Sequence, residues 1–194
     1  MDAERVSQVD IGAEATGDFA NMKLTRKLCG PDFKILSGDD DKTLDMMLDP
    51  EIKAAGVISV VSNVAPKSVR DMCQYALDNR VAEARKVAEA LKPLFEIVTI
   101  KTVEETGRGQ TAFKARNPLP IKTLMGILGM PGGPLRQPLG KLTTQALEAL
   151  LMRARKVQAQ NPEIFAPISD FFDVDVEERL TNDRYLRGWA YDGY

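Results

Sequence analysis

An α/β fold built on a parallel sheet is predicted by the first third of the sequence, and two observations carry that prediction. Three short runs of strand character, residues 9–15, 33–38 and 56–62, are separated by helical text at 19–28 and 43–48. Strand, helix, strand, helix, strand at this spacing gives successive βαβ units, whose crossovers lay the strands parallel. The third run is β-branched and apolar nearly throughout, the pattern of a strand buried on both faces.

The elements follow in order. The first run is the weakest, interrupted by Asp10 and Gly12, and the second starts just after the Gly30-Pro31 breaker. Asp39, Asp40 and Asp41 stand where a helix N-terminus favours carboxylates, so they are expected to cap the second helix. Beyond Asn63 the text turns helical. Val69, Met72, Cys73, Ala76 and Leu77 make one amphipathic face, and Val81, Ala84, Ala88, Leu91 and Phe95 another, closed near its end by Pro93. Residues 99–120 are polar and read as a connection of no definite structure. Ile121, Leu124, Met125 and Leu128 form a third face, and Leu147, Leu150, Leu151 and Ala154 a fourth, for which Thr144 is the expected cap. From Asn161 the chain carries 7 of its 12 aromatic residues, with eight acidic against three basic groups. Disordered tails are poor in aromatics, so this segment is expected to dock on the same chain or a neighbouring subunit.

Composition narrows the chemistry. The 194 residues suffice for a real core, and 26 basic against 28 acidic residues leave a net charge of −2. Neither a nucleic-acid partner nor a membrane is therefore expected. No apolar run reaches the ~18–20 residues of a membrane span. The opening Met1-Asp2-Ala3-Glu4-Arg5 lacks an apolar signal core, and the expected location is cytoplasmic. Two cysteines, Cys29 and Cys73, are too few for a disulfide scaffold or a four-thiolate zinc site. There is no histidine. Ser-His and Cys-His nucleophiles, His metal sites and the commonest general base are thereby excluded. Chemistry must rest on Lys, Asp, Glu, Tyr, backbone amides or a cofactor.

Five blocks occur in a telling order: Glu14-Ala15-Thr16-Gly17-Asp18, Ile35-Leu36-Ser37-Gly38-Asp39-Asp40, residues 56–66 from Gly56-Val57-Ile58 to Ala65-Pro66, Asn117-Pro118-Leu119-Pro120-Ile121-Lys122, and Leu135-Arg136-Gln137-Pro138-Leu139. Together they resemble the C-terminal half of the dihydrodipicolinate synthase family, also called 4-hydroxy-tetrahydrodipicolinate synthases. The resemblance implies a partial TIM (β/α)8 barrel, its last three β/α units followed by a C-terminal helical domain and the aromatic tail. It places the partial barrel at 1–66, the last barrel helix and helical domain at 67–160, and an acidic aromatic extension at 161–194.

It also implies a lyase chemistry without cofactor or metal. A lysine forms a Schiff base with pyruvate, which condenses with aspartate semialdehyde in lysine biosynthesis. That lysine belongs two residues before the Ala of the Glu-Ala-(Thr/Ser)-Gly block, where this sequence has Ala13. Gly38 and Ile58 match positions that line the pyruvate pocket, largely through backbone groups. An apolar strand residue such as Ile58 is otherwise simply core.

The family's first five strands, its substrate-carboxylate hydroxyls, its relay tyrosines and its arginine for the semialdehyde have no counterpart here. Just upstream of Glu14 the departure looks like a truncated or misread frame, with Met1 then not the biological start. The stretch before Asn117 is inserted or remodelled.

The expectation is a catalytically incomplete chain, or alternatively a non-catalytic pseudoenzyme or assembly subunit. If any ligand binds, it is pyruvate-like. Three strands cannot close a barrel, so a homo-oligomer or a chain supplying the other half is expected. Lys34 is a poor substitute nucleophile, about 13 Å from its strand's C-terminal end. The Gly107-x-Gly109 pair is weak evidence for phosphate binding, and Cys73 is expected to pack.

Overall fold

The structure is a computed structural model that describes residues 10–191; Val9, at the edge of the first expected strand, and Tyr194 lie outside them. The chain forms two compact units. One runs to Ser59 and takes in Val69–Glu89; the other consists of Val60–Ser68 and everything from Ala90 onward.

The first unit contains the expected parallel sheet. Strands β1 (Ile11–Glu14), β2 (Lys34–Ser37) and β3 (Gly56–Val57) lie side by side in that order, both pairings parallel. Helix α1 (Phe19–Cys29) connects the first two, and α2 (Thr43–Leu48) the second and third. Alternation sorts the sheet's residues. Ile35 and Ser37 face inward onto a core of Met22, Met46, Ile52 and Ala54, with Phe19, Phe33 and Met47 packed around it. Gly12 shares that face, close against the Phe33 ring. Ile11 and Ala13 are turned the other way and are exposed.

At the opposite end of the strands Arg26 acts as a clamp. Its Nε donates to the Ile52 carbonyl (2.9 Å) and its Nη1 to those of Gly30 (2.9 Å), Pro31 (3.2 Å) and Phe33. One rigid guanidinium thus satisfies the carbonyls at the end of α1 and the entry to β2.

The third strand is shorter than expected. After Val57 the ladder ends, and the chain enters a 3-10 turn at Val61–Asn63 instead of continuing extended to Ser62. The reason lies in β2, which stops at Ser37, so later residues of the run have no partner strand there. Nor is the run buried on both faces, since Ile58 is 59% exposed. The three aspartates also behave differently from expectation. Asp40–Lys42 form a 3-10 turn, and no side chain caps α2. The cap that does form is Asp18, whose Oδ1 accepts the N–H groups of Ala20 (2.9 Å) and Asn21 (3.3 Å) at the start of α1.

Helices α3 (Pro66–Leu77) and α4 (Val81–Phe95) follow, α4 ending two residues after Pro93. The stretch expected to be irregular is an antiparallel hairpin, β4 (Thr99–Thr106) and β5 (Gly109–Arg116). Gly107 and Arg108 form its turn, with the Arg108 N–H donating to Thr106 Oγ1 (3.2 Å), which disposes of Gly107 and Gly109 as a phosphate loop. In the remainder, α5 (Leu119–Ile127) and the long α6 (Thr144–Gln160) lie against the hairpin. The cap of α6 is Thr143 rather than Thr144; its Oγ1 accepts the Ala146 N–H at 3.1 Å.

The aromatic segment folds back on its own chain. Short helices α7 (Ala166–Phe172), α8 (Val176–Thr181) and α9 (Asp183–Leu186) complete the second unit, where Phe165, Val176 and Leu180 are buried. The Leu142 N–H donates to the Trp189 carbonyl (3.2 Å) and the Tyr191 N–H to the Leu142 carbonyl (3.1 Å), a strand-like latch. Gly126 is required beneath it, because the Trp189 ring occupies the space of any Cβ there. No helix among the described residues is long and apolar enough to cross a membrane.

Burial decides which side chains carry the first unit. Met22 is completely buried whereas Leu28, on the same helix, is 75% exposed. Met22→Ala is expected to cost about 2–5 kcal/mol in denaturant unfolding, and Leu28→Ala less than about 0.5 kcal/mol.

Candidate functional site

The C-terminal ends of the three parallel strands form a rim, and backbone hydrogen bonds fix it. The Gly38 N–H donates to the Glu14 carbonyl at 2.7 Å, and the Ile58 N–H to the Ser37 carbonyl at 2.8 Å. Ala13 pairs with Leu36 in the same register. Ala13, Gly38 and Ile58, which the sequence places 45 residues apart end to end, therefore sit on adjacent strands at one end of the sheet.

The turns leaving the rim explain the polar residues of the first two blocks. Glu14 Oε1 accepts the Thr16 N–H (3.2 Å), and Thr16 Oγ1 accepts the Asp18 N–H (3.2 Å), leading the chain from β1 into α1. Ser37, fully buried, donates its hydroxyl to the Asp39 carbonyl (2.9 Å) and accepts the Asp39 N–H (3.2 Å). Between these turns only glycine fits at 38, since a Cβ there would stand 2.7 Å from that of Ala15.

One pairing was not legible in the sequence. Asp40 is buried, and its Oδ1 accepts a short hydrogen bond from Ser59 Oγ across the rim. The signal available was Ser59 itself, a hydroxyl set in an apolar run, but nothing local identifies its partner 19 residues earlier. Asp40 also acts on Cys73. Burial first, and the negative charge of Asp40 second, push the Cys73 thiol up to about 11. It is partly buried as expected of a packing residue, and a thiol so raised stays protonated at neutral pH.

Residue 13, where the resemblance implies the imine-forming lysine, carries a methyl group, exposed near the end of β1. Lys34 lies on the adjacent strand, two residues before Leu36, the partner of Ala13. Lys34 opens β2 opposite Ile11, at the other end of the sheet, and lines a cavity of about 220 Å³ with Arg26, Phe33 and Lys53. Lys42, just past β2, lies 3.5 Å from Asp41, and Lys23 is held by Glu51 (2.6 Å) and Asp49 (3.2 Å), contacts that raise its pKa. Among the described residues no group of three or more His, Cys, Asp or Glu could hold a metal ion.

Comparison with known proteins gives one consistent answer. The 4-hydroxy-tetrahydrodipicolinate synthase of Shewanella pealeana is 35% identical over 144 residues, covering 74% of this chain and 43% of the relative. That of Sulfurihydrogenibium sp. is 38% identical over 117 residues, 60% of this chain and 34% of the relative. Among solved structures, the synthase of Methylacidiphilum fumariolicum SolV superposes with a TM-score of 0.63 at 30% identity, covering 80% of this chain and 47% of that one. The synthase of Aquifex aeolicus gives 0.63 at 28%, covering 81% and 46%. The chain thus spans less than half the length of the relatives it matches. The dihydrodipicolinate synthetase family model matches residues 6–157, the greater part of the sequence, and the chain belongs to that family.

Proposed function

We propose that this chain is a catalytically silent member of its family, unable to hold a keto acid covalently. The observation that carries this reading is Ala13 at the end of β1, in register with the rim that Gly38 and Ile58 complete. Imine formation needs a neutral amine to attack the keto carbon of pyruvate, after which water leaves and a C=N bond remains. A methyl group offers no nitrogen and no lone pair. The residues that would still meet a pyruvate-like ligand are Gly38 and Ile58, the former through its backbone, and both are recognition elements rather than reactive ones.

In this proposal β1, β2 and β3 correspond to the sixth, seventh and eighth strands of a TIM barrel, whose sites lie at the C-terminal strand ends. The face carrying Ile11 and Ile58, 52% and 59% exposed, is then the barrel interior. The outer edge of β1 supports the same view. Asp10 and Glu14 give their carbonyls to β2, so the alternate residues Ile11 and Ala13 turn their amides and carbonyls outward. An open edge beside apolar surface invites further strands. A second copy, or a chain carrying further strands, would cover that edge, and this is the basis of the assembly role proposed for the chain.

Two outcomes test these statements, and the labelling of Cys73 checks the environment described beside the rim. After incubation with pyruvate and borohydride, intact-mass spectrometry is expected to show the unmodified chain; a reduced pyruvyl adduct on any lysine would falsify the proposal. Equilibrium sedimentation is expected to find an associated species, and a well-folded monomer at low concentration would refute the assembly role. With its pKa near 11, Cys73 is expected to alkylate at pH 8 on the order of 100-fold more slowly than a free model thiol of ordinary pKa. Asp40→Asn removes the second cause of that shift and should speed Cys73 labelling, without reaching the model thiol's rate, because burial persists.

A further inference from the structure

The outward face of the β4–β5 hairpin carries cations that its own chain leaves unanswered. The register sets Lys101 opposite Lys114 and Thr99 opposite Arg116, with Val103 opposite Ala112 in the next row. Lys101, Lys114, Arg116 and Ala112 are exposed, as is Val103 at 56%. Residues directly opposed in such a pair have Cβ atoms ~5 Å apart, and diagonal ones ~7–8 Å. Two ammonium groups and a guanidinium are thus gathered on one small area, and like charges set opposite each other destabilise a hairpin. Lys101, Lys114 and Arg116 have no ion-pair partner among the described residues. Glu105, the carboxylate of that face, stands well beyond Lys101, ~13 Å along the strand.

A complementary surface stands at the corner between α7 and α8. Asp170, Asp173 and Asp175 are exposed there, and Phe171 is exposed to 81%. The Phe171 ring is steadied edge-on against Phe172, with centroids 4.9 Å apart, while most of it meets solvent. Asp170 lies in the last turn of α7, and Asp173 ends the helix in the left-handed conformation (φ 51°) that glycine usually fills. Carboxylates at a helix C-terminus oppose its dipole. No ion pair answers Asp170 or Asp173 among the described residues. The corner also lies beyond residue 157, where the family match ends.

Each patch is therefore unfavourable alone, and each supplies what the other lacks. Within one copy no ion pair joins them among the described residues, and Phe171 stays open to solvent. We propose that the outward hairpin face docks the α7–α8 corner of a second copy of this chain. Phe171 then lies over Val103 and Ala112, and the aspartates meet Lys101, Lys114 and Arg116. An aromatic anchor bordered by complementary charge gives an interface both affinity and register. The lysine stems flank the ring with further apolar surface. No residue of the β1 edge takes part, so this contact stands or falls separately from the assembly role proposed above.

The full chain, prepared with ordinary and with heavy nitrogen, is mixed in equal amounts and treated with a zero-length carbodiimide. Peptide mass spectrometry is expected to find amide links from Lys101 or Lys114 to Asp170, Asp173 or Asp175, with light–heavy pairs among them. Lys23 and Glu51, paired at 2.6 Å within one chain, give the same-chain reference yield. Relative to it, Phe171→Ala is expected to lower the light–heavy yield roughly fivefold or more, with an unchanged circular dichroism melt. In the unaltered chain, ~0.5 M salt should lower that yield as well, because screening weakens exposed charge pairs. No light–heavy link between these residues would overturn the proposal. So would a yield unmoved by salt, or unmoved by Phe171→Ala in a chain that melts normally.

Discussion

The hydrogen-bonded register of the three parallel strands governs the first unit. Lys34 donates to Asp10, Gly38 to Glu14 and Ile58 to Ser37, at 2.8, 2.7 and 2.8 Å. Because strand side chains alternate, that register alone decides which residues face α1 and α2 and which face away. It sends Ile35 and Ser37 into the core with Met22 and Met46, and it turns Ile11 and Ala13 outward. A slip of one residue would exchange the two sets and place the Lys34 ammonium among buried methionines. The same bonds align the strand ends, so the rim and the sheet are one construction.

In the proposed function, the chemistry at that rim is set by what a position lacks. Electrostatic tuning can shift a lysine or a thiol by several pKa units, but it acts only on a group that exists. Ala13 presents a methyl where the family resemblance implies an amine, while the surrounding turns retain their internal bonds: Glu14 to Thr16, Ser37 to Asp39, Ser59 to Asp40. The scaffold of the rim is therefore self-consistent without the reactive group. Cys73, the nearby nucleophile type, is held as a thiol by burial and by Asp40.

The second unit follows a different logic. Its hairpin turns Glu104 inward, 4% exposed and with Oε1 lacking a hydrogen-bond partner, while Val103 faces out at 56% exposure. That inverts the usual alternation, and buried polar groups of this kind are costly. Stability must come from the helices, where Leu124, Leu150 and Ala154 are wholly buried, and from the tail, whose Phe165 and Leu180 are equally enclosed. The acidic aromatic segment is thus a structural part of its own chain.

The sequence by itself determined the order of strands and helices, the amphipathic faces of α3 to α6, the membership of a family and the absence of a side-chain amine at residue 13. These are local facts: periodicity, punctuation by Gly and Pro, and residue identity need no neighbour in space. Only the tertiary structure decided where β3 stops, because a strand ends with its partner's ladder. It alone revealed the hairpin at 99–116, whose inward face mixes Thr102, Glu104 and Thr106 with Ile100 and Phe113, so the apolar alternation is interrupted. It moved Asp40 from an expected cap to a buried acceptor for Ser59, and Ile58 from an expected core position to an exposed one. Burial is a relation between distant segments, and no window of sequence contains both sides of it.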